Sequence, residues 1–256
     1  MIRVRILGCG TSSGVPMIGC RCAVCRSDDP RNKRKRCAVM IESEGKVLLV
    51  DTPPELRLQC IEAGLERLDA VLYTHAHADH VNGLDDLRAV NHLMNRPIDV
   101  FGAARVLEGI RARFGYAFLP PEPEKGWWRP CLNPIEIDGP FMVGDLLVRP
   151  FEQQHGRSPS WGFRVGGFAY SPDVSGLDQT ALTSLEGLDL WIVDCLRETP
   201  HPSHAHLERT LGWIERLGPK RAVITHMSHE LDYRDLAARL PGGVEPAVDG
   251  MVIEIG

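Results

Sequence analysis

The sequence predicts an α/β fold in which two β-sheets pack face to face and helices cover their outer surfaces. Short apolar runs of β-forming residues alternate with segments of helical periodicity, and Gly or Pro separates most of them. Strands open both halves of the chain and helices are interspersed, which favours two packed sheets over a single parallel sheet. A chain of 256 residues that is 43% hydrophobic is long and apolar enough to bury a sizeable core.

The individual strands and helices are predicted between these Gly and Pro residues. Each predicted strand is a short apolar run, and most predicted helices come directly after a strand. The Pro- and Gly-rich residues 119–140 predict a surface excursion, with Trp127 and Trp128 packed beneath a loop. The predicted strands are residues 3–7, 38–42, 47–51, 70–74, 99–101, 146–150, 162–165, 168–171, 190–194, 222–225 and 251–255. The predicted helices are residues 55–63, 84–93, 104–114, 178–185, 206–217 and 233–240.

The composition argues against several classes of protein. With 29 basic and 34 acidic residues, the formal charge is −5, which is unlike a generally cationic nucleic-acid binder or a polybasic membrane-surface protein. The apolar runs fall far short of the ~20 residues that a bilayer requires. The N-terminus lacks the features of a secretory signal, so we expect a cytoplasmic protein. The basic run at residues 31–36 predicts either a solvated loop or a phosphate-contacting segment.

The strongest chemical signal lies directly after the predicted strand 70–74. Four metal-binding side chains occur within six residues, which is too many for one structural zinc with its four ligands in a closed tetrahedron. They are His75, His77, Asp79 and His80. In extended backbone the first two leave the chain on the same face and can chelate one ion, while the other two serve a neighbouring ion. The motif therefore predicts two metal ions.

In this His-x-His-x-Asp-His motif the sequence resembles the metallo-β-lactamase superfamily, whose members are αββα sandwiches of the α+β class. The resemblance covers nearly the whole chain, so we expect a single domain over residues 1–256. It also implies three further ligands, each of which closes or follows an apolar run. Under this resemblance one ion is held by His75, His77 and His155 and the other by Asp79, His80 and His226, with Asp173 bridging both.

Three cysteines form a second candidate metal site. Their Cys-x-Cys-x-x-Cys spacing brings three thiolates together in a loop at about residues 19–37, and a structural zinc there needs a fourth ligand. This loop and the Gly-rich segment 7–16 are most similar to the phosphoribosyl 1,2-cyclic phosphodiesterase branch of the superfamily, associated with phosphonate degradation. The resemblance implies His229 as the fourth ligand, with His92 as the alternative. A trio of reactive or merely buried cysteines is the other interpretation. The three are Cys20, Cys22 and Cys25.

The same resemblance implies a hydrolytic mechanism at phosphorus. A water that bridges two divalent ions loses a proton near neutral pH, and the ion pair can clamp the attacking and leaving oxygens. The remaining tasks are to neutralise charge on the phosphoryl oxygens and to protonate the leaving alkoxide, and they suit a His outside the metal ligands. The resemblance assigns this role to His204, with His206 as the runner-up. Asp79 is counted as a catalytic residue as well as a ligand.

Together these inferences predict a dinuclear metal-dependent phosphodiesterase that acts on a small cyclic or simple phosphodiester, with two active-site ions of Zn or Mn and one structural Zn. A tRNA 3′-processing endonuclease or another hydrolase of the superfamily is the alternative enzyme. Only 17 residues separate His155 from Asp173, which leaves no room for the substrate-gripping arm of those endonucleases. A non-catalytic ligand-binding relative is the alternative of another class, and seven intact ligands speak against it. We expect a small phosphate-ester substrate, no stable nucleic-acid complex, no membrane association and a homodimer.

Overall fold

The computed structural model describes residues 1–256, apart from the side chain of Pro123. In this described chain, fourteen strands build two seven-stranded sheets, and eight α-helices accompany them. The strands are β1 (Ile2–Gly8), β2 (Ala38–Ser43), β3 (Lys46–Val50), β4 (Ala70–Leu72), β5 (Ile98–Gly102), β6 (Leu132–Glu136), β7 (Phe141–Val143), β8 (Leu146–His155), β9 (Ser158–Val165), β10 (Phe168–Ser171), β11 (Leu190–Asp194), β12 (Arg221–Thr225), β13 (Val244–Pro246) and β14 (Val252–Ile255). The helices are α1 (Ala23–Arg26), α2 (Leu56–Ala63), α3 (Ala78–Val81), α4 (Leu87–Met94), α5 (Ala104–Phe114), α6 (Gln179–Ser184), α7 (Leu207–Leu217) and α8 (Tyr233–Arg239).

Both sheets are mixed. The first has the spatial order β14-β1-β2-β3-β4-β5-β6, and its strands β3 to β6 are parallel to one another. The second has the order β13-β12-β11-β10-β9-β8-β7, with β10 to β13 parallel and the other pairs antiparallel. Two packed mixed sheets with helices confirm the predicted fold class.

The burial pattern explains how the layers pack. In β1, Ile2, Val4 and Ile6 alternate with arginines, so one face of the strand is apolar and joins the core between the sheets. On the opposite face of the first sheet, Leu49 and Val71 belong to a separate apolar cluster built with α2, α4 and α5. Buried side chains of α6, α7 and α8 join the core of the second sheet. Of the helices described, none has both the length and the apolar character that crossing a membrane needs.

Every predicted strand and helix overlaps an observed one, although several bounds differ. β8 continues to His155, five residues beyond its predicted end. The predicted helix 84–93 is divided into a 3-10 turn at Leu84–Asp86 and helix α4. The first of these differences matters for the site, because it extends the strand as far as a candidate ligand.

The predicted surface excursion at residues 119–140 is partly wrong. It contains β6, which pairs in parallel with β5 at the edge of the first sheet. The sequence did not predict this strand because it contains Pro134 and several exposed residues. Pro lacks an N–H and is tolerated in strands mainly at edges. Trp128 is 51% exposed and lies under the guanidinium of Arg129. The prediction that the Trp pair packs beneath a loop is therefore wrong for this residue.

Candidate active site

The His-x-His-x-Asp-His motif lies where the first sheet meets the second. β4 ends at Leu72, and the backbone N–H of Trp161 in β9 donates to Thr74 O at 2.9 Å, which ties the two sheets together at this point. His77 then precedes α3 as its N-terminal cap residue, and the other two motif residues lie in the first turn of that helix. A change from extended chain to helix therefore separates the two pairs of candidate ligands.

The remaining three candidate ligands come from the second sheet. His155 is the last residue of β8, Asp173 follows β10 and His226 follows β12. β10 and β12 both run parallel to β11, and β8 has the same direction because it and β10 are each antiparallel to β9. The C-terminal ends of these strands therefore meet at one edge, beside the motif.

The first ligand group consists of His75, His77, His155 and Asp173, whose ligand atoms all lie within 4.8 Å of one another. His75 Nε2 lies 2.9 Å from His77 Nδ1, and His155 Nε2 lies 3.3 Å from the same atom. Both Nε2 atoms lie 3.6 Å from Asp173 Oδ2. Three ring nitrogens and one carboxylate oxygen thus face a common point.

The second ligand group consists of Asp79, His80, His226 and again Asp173. His80 Nε2 lies 3.1 Å and His226 Nε2 3.3 Å from Asp173 Oδ1, the second oxygen of the shared carboxylate. Asp79 Oδ2 lies 3.4 Å from His80 Nε2 and 3.9 Å from His226 Nε2. Asp173 therefore offers one oxygen to each group, and the structure brings all seven predicted ligands together.

The donor atoms of this centre fit divalent cations. His80 Nε2, His226 Nε2 and Asp173 Oδ1 are buried and have no hydrogen-bond partner within the described chain. A buried polar atom without a partner costs about 1–3 kcal/mol, and a cation among the three would satisfy them together. Imidazole and carboxylate donors in sets of four suit Zn²⁺ and several other divalent ions.

The charges at the centre also favour the binding of divalent cations. Burial acts to lower the pKa of His80, but the carboxylates of Asp173, Asp79 and Asp51 outweigh it and raise that pKa well above its usual range. Burial acts to raise the pKa of Asp79, but the charge on His80 outweighs it, so the pKa is lowered. Burial lowers the pKa of His75 well below its usual range. The carboxylates around His80 therefore favour positive charge at this point, and His75 is a neutral imidazole.

Asp51, which the sequence patterns did not single out, orients one ligand of each group. This fully buried residue has a positive φ of 65°, and its Oδ2 accepts from His80 Nδ1 at 2.6 Å. The same oxygen accepts from Thr74 Oγ1 at 2.7 Å, and Thr74 Oγ1 lies 2.9 Å from His75 Nδ1. Since each imidazole uses Nδ1 here, Nε2 is left to face the centre, as in the supporting shells of metal sites. In the sequence, the sign of this role is an Asp at the end of a predicted buried strand.

Asp194, also absent from the sequence predictions, supports His204. Its Oδ2 accepts from His204 Nδ1 at 2.9 Å, and its Oδ1 lies 3.7 Å from His226 Nδ1. His204 Nε2 lies 3.9 Å from Asp173 Oδ2, so this side chain reaches the centre. Burial acts to lower the pKa of His204, but the charge on Asp194 outweighs it and raises the pKa to about 9. The carboxylate of Asp194 therefore favours the protonated form of His204.

His206 lies apart from the centre. It is buried as the N-terminal cap residue of α7, and its Nε2 faces the exposed Glu208 at 3.9 Å. The loop that carries both histidines nevertheless contacts the ligands, because His155 Nδ1 donates to Ser203 O at 2.7 Å. Of the two candidate catalytic histidines, the structure places only His204 beside the ligand groups.

Three non-glycine residues with positive φ lie at the centre: Asp51, Asp173 and His226. Left-handed backbone is unfavourable for such residues and persists where the surrounding structure enforces it, often at functional sites. Backbone bonds on both sides hold His226, since Cys195 N–H donates to Thr225 O and Met227 N–H donates to Cys9 O, each at 2.9 Å. The fold therefore imposes the orientation of these ligands.

Comparison with known proteins identifies the family. A family model described as a beta-lactamase superfamily domain matches residues 46–227, a range that contains all seven candidate ligands. The chain belongs to the metallo-β-lactamase superfamily. Members of this superfamily are mostly metal-dependent hydrolases, which agrees with the fold and with the cluster of His and Asp ligands.

Within the superfamily, the chain lies near the PhnP family. A solved structure described as a new diphosphatase from the PhnP family is 32% identical, with a TM-score of 0.93 and coverage of 100% of this chain and 98% of that one. Coenzyme PQQ synthesis protein B of Rhodopseudomonas palustris is 31% identical over 225 residues, which are 78% of this chain and 68% of that protein. These relatives confirm the resemblance predicted from the motifs.

A third relative carries a different activity in its name. Octanoyltransferase of Porphyromonas gingivalis is 38% identical over 255 residues, which are 98% of this chain and 51% of that protein. The chain therefore spans about half the length of this relative. The name describes the whole of that longer protein, so it does not assign acyl transfer to this chain.

In the Cys loop, defined here as residues 19–37, the structure gathers the three cysteines but not a fourth ligand. The thiols of Cys20, Cys22 and Cys25 lie within 4.8 Å of one another. Cys22 Sγ lies 3.7 Å from the backbone oxygen of His229, whose imidazole lies outside the thiol group and has a buried Nδ1 without a hydrogen-bond partner in the described chain. His92 is exposed on α4 and is not part of the group either.

The basic run at residues 31–36 is largely engaged within the protein. Arg34 is 2% exposed and donates to Ser228 O at 2.8 Å and to Leu231 O at 2.7 Å. Arg31 pairs with Asp29, and Arg36 pairs with Glu55. The run therefore ties the Cys loop to the segment that follows His226, and these three arginines are not free for a phosphate.

Proposed function

We propose that this chain is a dinuclear metal-dependent phosphodiesterase that hydrolyses a small cyclic or simple phosphodiester. The observation that carries the proposal is the position of Asp173, whose two oxygens face separate ligand groups, with His204 Nε2 3.9 Å from one of them. Two ligand groups that share a carboxylate, with a proton donor beside them, meet the requirements of an in-line displacement at phosphorus.

The division of labour follows from the contacts. Divalent ions in the two groups would supply positive charge to the phosphoryl oxygens and lower the pKa of a water molecule. His204 directs Nε2 towards the centre because its Nδ1 donates to Asp194 at 2.9 Å. It can therefore hydrogen-bond to a phosphoryl oxygen or give its proton to the departing oxygen. Asp51 and Asp194 keep the ligands and His204 in place and need not touch the substrate.

The metals form part of the proposal. We propose Zn or Mn in the two ligand groups and a structural Zn on the three thiols, with His229 as its fourth ligand. Cys25 N–H donates to Cys22 Sγ at 3.4 Å, and this bond lowers the pKa of the Cys22 thiol. A lowered pKa favours the thiolate that zinc requires. A rotation of the His229 side chain would be needed for it to join the group.

A second candidate function is hydrolysis of a diphosphate. It is favoured by the PhnP-family structure, which is described as a diphosphatase and is 32% identical with a TM-score of 0.93. A phosphoanhydride and a phosphodiester present the same kind of phosphorus to the centre. They differ in the leaving group, because a departing phosphate needs less help from a proton donor than an alkoxide does. Loss of His204 should therefore harm diester hydrolysis more.

A tRNA-processing endonuclease and a non-catalytic ligand-binding protein receive less support. The endonuclease would need a long arm after His155, but β8 and β9 are joined by Gly156 and Arg157 alone. The intact ligand groups argue against a non-catalytic role. The homodimer, the small phosphate-ester substrate and the lack of a stable nucleic-acid complex stay predictions, and light scattering of the purified protein tests the homodimer.

The proposed function is tested with bis(4-nitrophenyl) phosphate and added Mn²⁺ or Zn²⁺. We expect hydrolysis by the wild type and none by His77→Ala, which lacks a ligand. His204→Ala should lower kcat by about 10²- to 10⁴-fold for adenosine 2′,3′-cyclic phosphate, whose leaving group is an alkoxide, and by less for bis(4-nitrophenyl) phosphate, whose nitrophenolate departs without a proton. The metal content, measured by elemental analysis, should be unchanged. His206→Ala is the matched control and should retain most of the activity. Inactivity of the wild type with every divalent metal would contradict the proposal, and loss of metal in His204→Ala would contradict the role of that residue.

A further inference from the structure

Residues 197–206 form a closed loop, here called the His loop, which contains both candidate catalytic histidines. The two ends of the loop are joined, because Arg197 and His206 form a β-bridge. Arg197 also donates from Nε to Thr199 O at 3.1 Å and from Nη2 to Pro200 O at 2.8 Å. These contacts hold the loop in a defined shape.

The His loop also packs against the turn that joins β8 and β9. Gly156 in this turn has a positive φ of 57°, and a Cβ added to it would lie 3.0 Å from the Ser203 Cβ. The absence of a side chain therefore allows the close approach. Together with the bond from His155 Nδ1 to Ser203 O, this contact fixes the loop beside a candidate ligand.

His201 lies in the His loop between two prolines. Pro200 has a fixed φ, and Pro202 restricts the backbone of the residue before it to extended conformations. The Nδ1 atom of His201 accepts from the Ser203 backbone N–H at 3.3 Å, and Ser203 Oγ lies at the same distance from it. The backbone and the ring of His201 are therefore both held in place.

The bond from Ser203 decides which nitrogen of His201 carries the proton. In a neutral imidazole one nitrogen accepts and the other donates. Because Nδ1 accepts from a backbone N–H, Nε2 carries the proton, and within the described chain this atom makes no hydrogen bond. Burial lowers the pKa of His201, and the charges of His204 and Arg197 act in the same direction. These effects favour a neutral side chain with one unused N–H donor.

His201 packs beside the candidate proton donor, His204. Three imidazoles surround the His204 ring: those of His155, His226 and His201, at centroid distances of 4.8, 4.6 and 5.2 Å. The first two belong to the ligand groups, and His201 does not. A proton that passes from His204 Nε2 to the departing oxygen requires a hydrogen bond between them. An oxygen one or two carbons farther along the leaving alcohol would then lie within reach of His201 Nε2.

We propose that His201 is a specificity-determining residue that donates from Nε2 to a hydroxyl of the leaving alcohol. This inference rests on the proposed function and adds to it the recognition of the alcohol side of the substrate. The recognised group is an uncharged hydroxyl, because a neutral imidazole supplies a hydrogen bond but no charge. The substrate class is then a phosphodiester whose leaving alcohol carries a further hydroxyl. The contribution is expected mainly in KM, because this hydroxyl does not react.

The kinetic test compares two cyclic diesters that differ in one hydroxyl: glycerol 1,2-cyclic phosphate and propane-1,2-diol cyclic phosphate. For the metal-loaded wild type we expect a higher kcat/KM with the glycerol ester. In His201→Phe, which keeps a ring but has no donor, the ratio of the two kcat/KM values should fall about 3- to 10-fold, as for the loss of one neutral hydrogen bond. His201→Gln should keep part of the ratio, since its amide offers an N–H. His206→Ala is the control in the same loop, because the His206 imidazole faces Glu208.

Three outcomes would overturn the proposal. Equal kcat/KM values of the wild type for the two esters would show that the hydroxyl is not recognised. An unchanged ratio in His201→Phe would show that another group recognises it. An equal loss with both esters would show that His201 only supports the loop. If the wild type hydrolyses neither ester and is also inactive on bis(4-nitrophenyl) phosphate, the proposed function fails, and the contact is then judged by binding.

The binding measurement is calorimetric titration of the metal-loaded protein with glycerol 1-phosphate and with propane-1,2-diol 1-phosphate, which are ring-opened products of the two esters. We expect the wild type to bind the first more tightly and His201→Phe to bind both alike. Equal dissociation constants in the wild type, a difference that persists in the variant, or no binding of either phosphate would overturn the contact. Because this readout needs no turnover, it separates failure of the contact from failure of the proposed function.

Discussion

The His/Asp centre and the Cys loop both gather candidate metal ligands, but the protein holds them in different ways. At the centre, buried acceptors fix the orientation of the ligands: Asp51 accepts from His80, and Ser203 O accepts from His155. In the Cys loop, three thiols approach one another around the four-residue helix α1, and the fourth candidate ligand lies outside the group. The fold therefore brings together the donor atoms of the first site, whereas at the second it gathers three thiols without a fourth donor.

The His/Asp centre and the Cys loop also differ in how deeply they are buried. His80 is 0% and Asp173 2% exposed, and β4, which precedes the motif, contributes residues to both large apolar clusters. The Cys loop has only a small cluster, in which Val15, Val24 and Cys25 are buried. Removing an ion from the centre should therefore leave the fold intact, while removing it from the Cys loop should loosen that loop.

The largest effect is expected from removal of the Asp51 carboxylate, which orients His80. Asp51→Asn replaces an acceptor of two hydrogen bonds to the ligand network, and loss of such a supporting group typically costs 10- to 100-fold in metal affinity or activity. We expect a loss of this size, measured by metal titration and by the rate of diester hydrolysis. Asp69→Asn is the control, because Asp69 is also mostly buried but holds Val47 N and Arg67 instead. Equal affinities of the two variants would show that Asp51 does not prepare the centre.

A smaller effect on activity is expected from the Cys loop. Cys22→Ser should remove about one zinc per chain and lower the yield and the midpoint of thermal unfolding, because a structural zinc contributes folding energy. The ions of the His/Asp centre should remain. Cys60→Ser is the control, since Cys60 is a half-buried free thiol on α2. Elemental analysis and calorimetry check this expectation, and full metal content in Cys22→Ser would refute the structural zinc.

The smallest effect distinguishes the two candidates for the fourth thiol-site ligand. His229→Ala should weaken zinc binding at the thiols without changing the content of the His/Asp centre, because the backbone of His229 already contacts Cys22. His92→Ala should change neither, since His92 is exposed on another part of the surface, on α4. Competition with a zinc chelator measures the difference. Equal affinities in both variants would leave the site with three protein ligands.

Four of the candidate ligands could be predicted from one contiguous motif of metal-binding residue types. The remaining three were implied by the resemblance to the superfamily, and because each closes or follows an apolar run, their position at one sheet edge could also be predicted. The supporting residues were not identified. Asp51 and Asp194 are single acids at strand ends, and their partners lie 29 and 10 residues away in the chain for His80 and His204. Only tertiary contact shows which acid serves which imidazole.

The fold was predicted to a similar extent. The alternation of short strands and helices indicated two packed sheets, but β6, β7 and β13 were not predicted, and the last two have only three residues each. Such strands are stabilised by pairing with a neighbour rather than by their own apolar pattern.

The shared carboxylate of Asp173 makes occupancy of the two ligand groups interdependent. The first ion to arrive would cancel part of the negative charge that draws in the second, so the two would load in sequence with unequal dissociation constants. At a limiting supply of metal, a large share of the molecules would then hold a single ion. The fraction of molecules that hold both ions would then rise gradually with free metal, following the weaker of the two dissociation constants, and preparations that differ only in trace-metal history would differ in their content of doubly occupied centres.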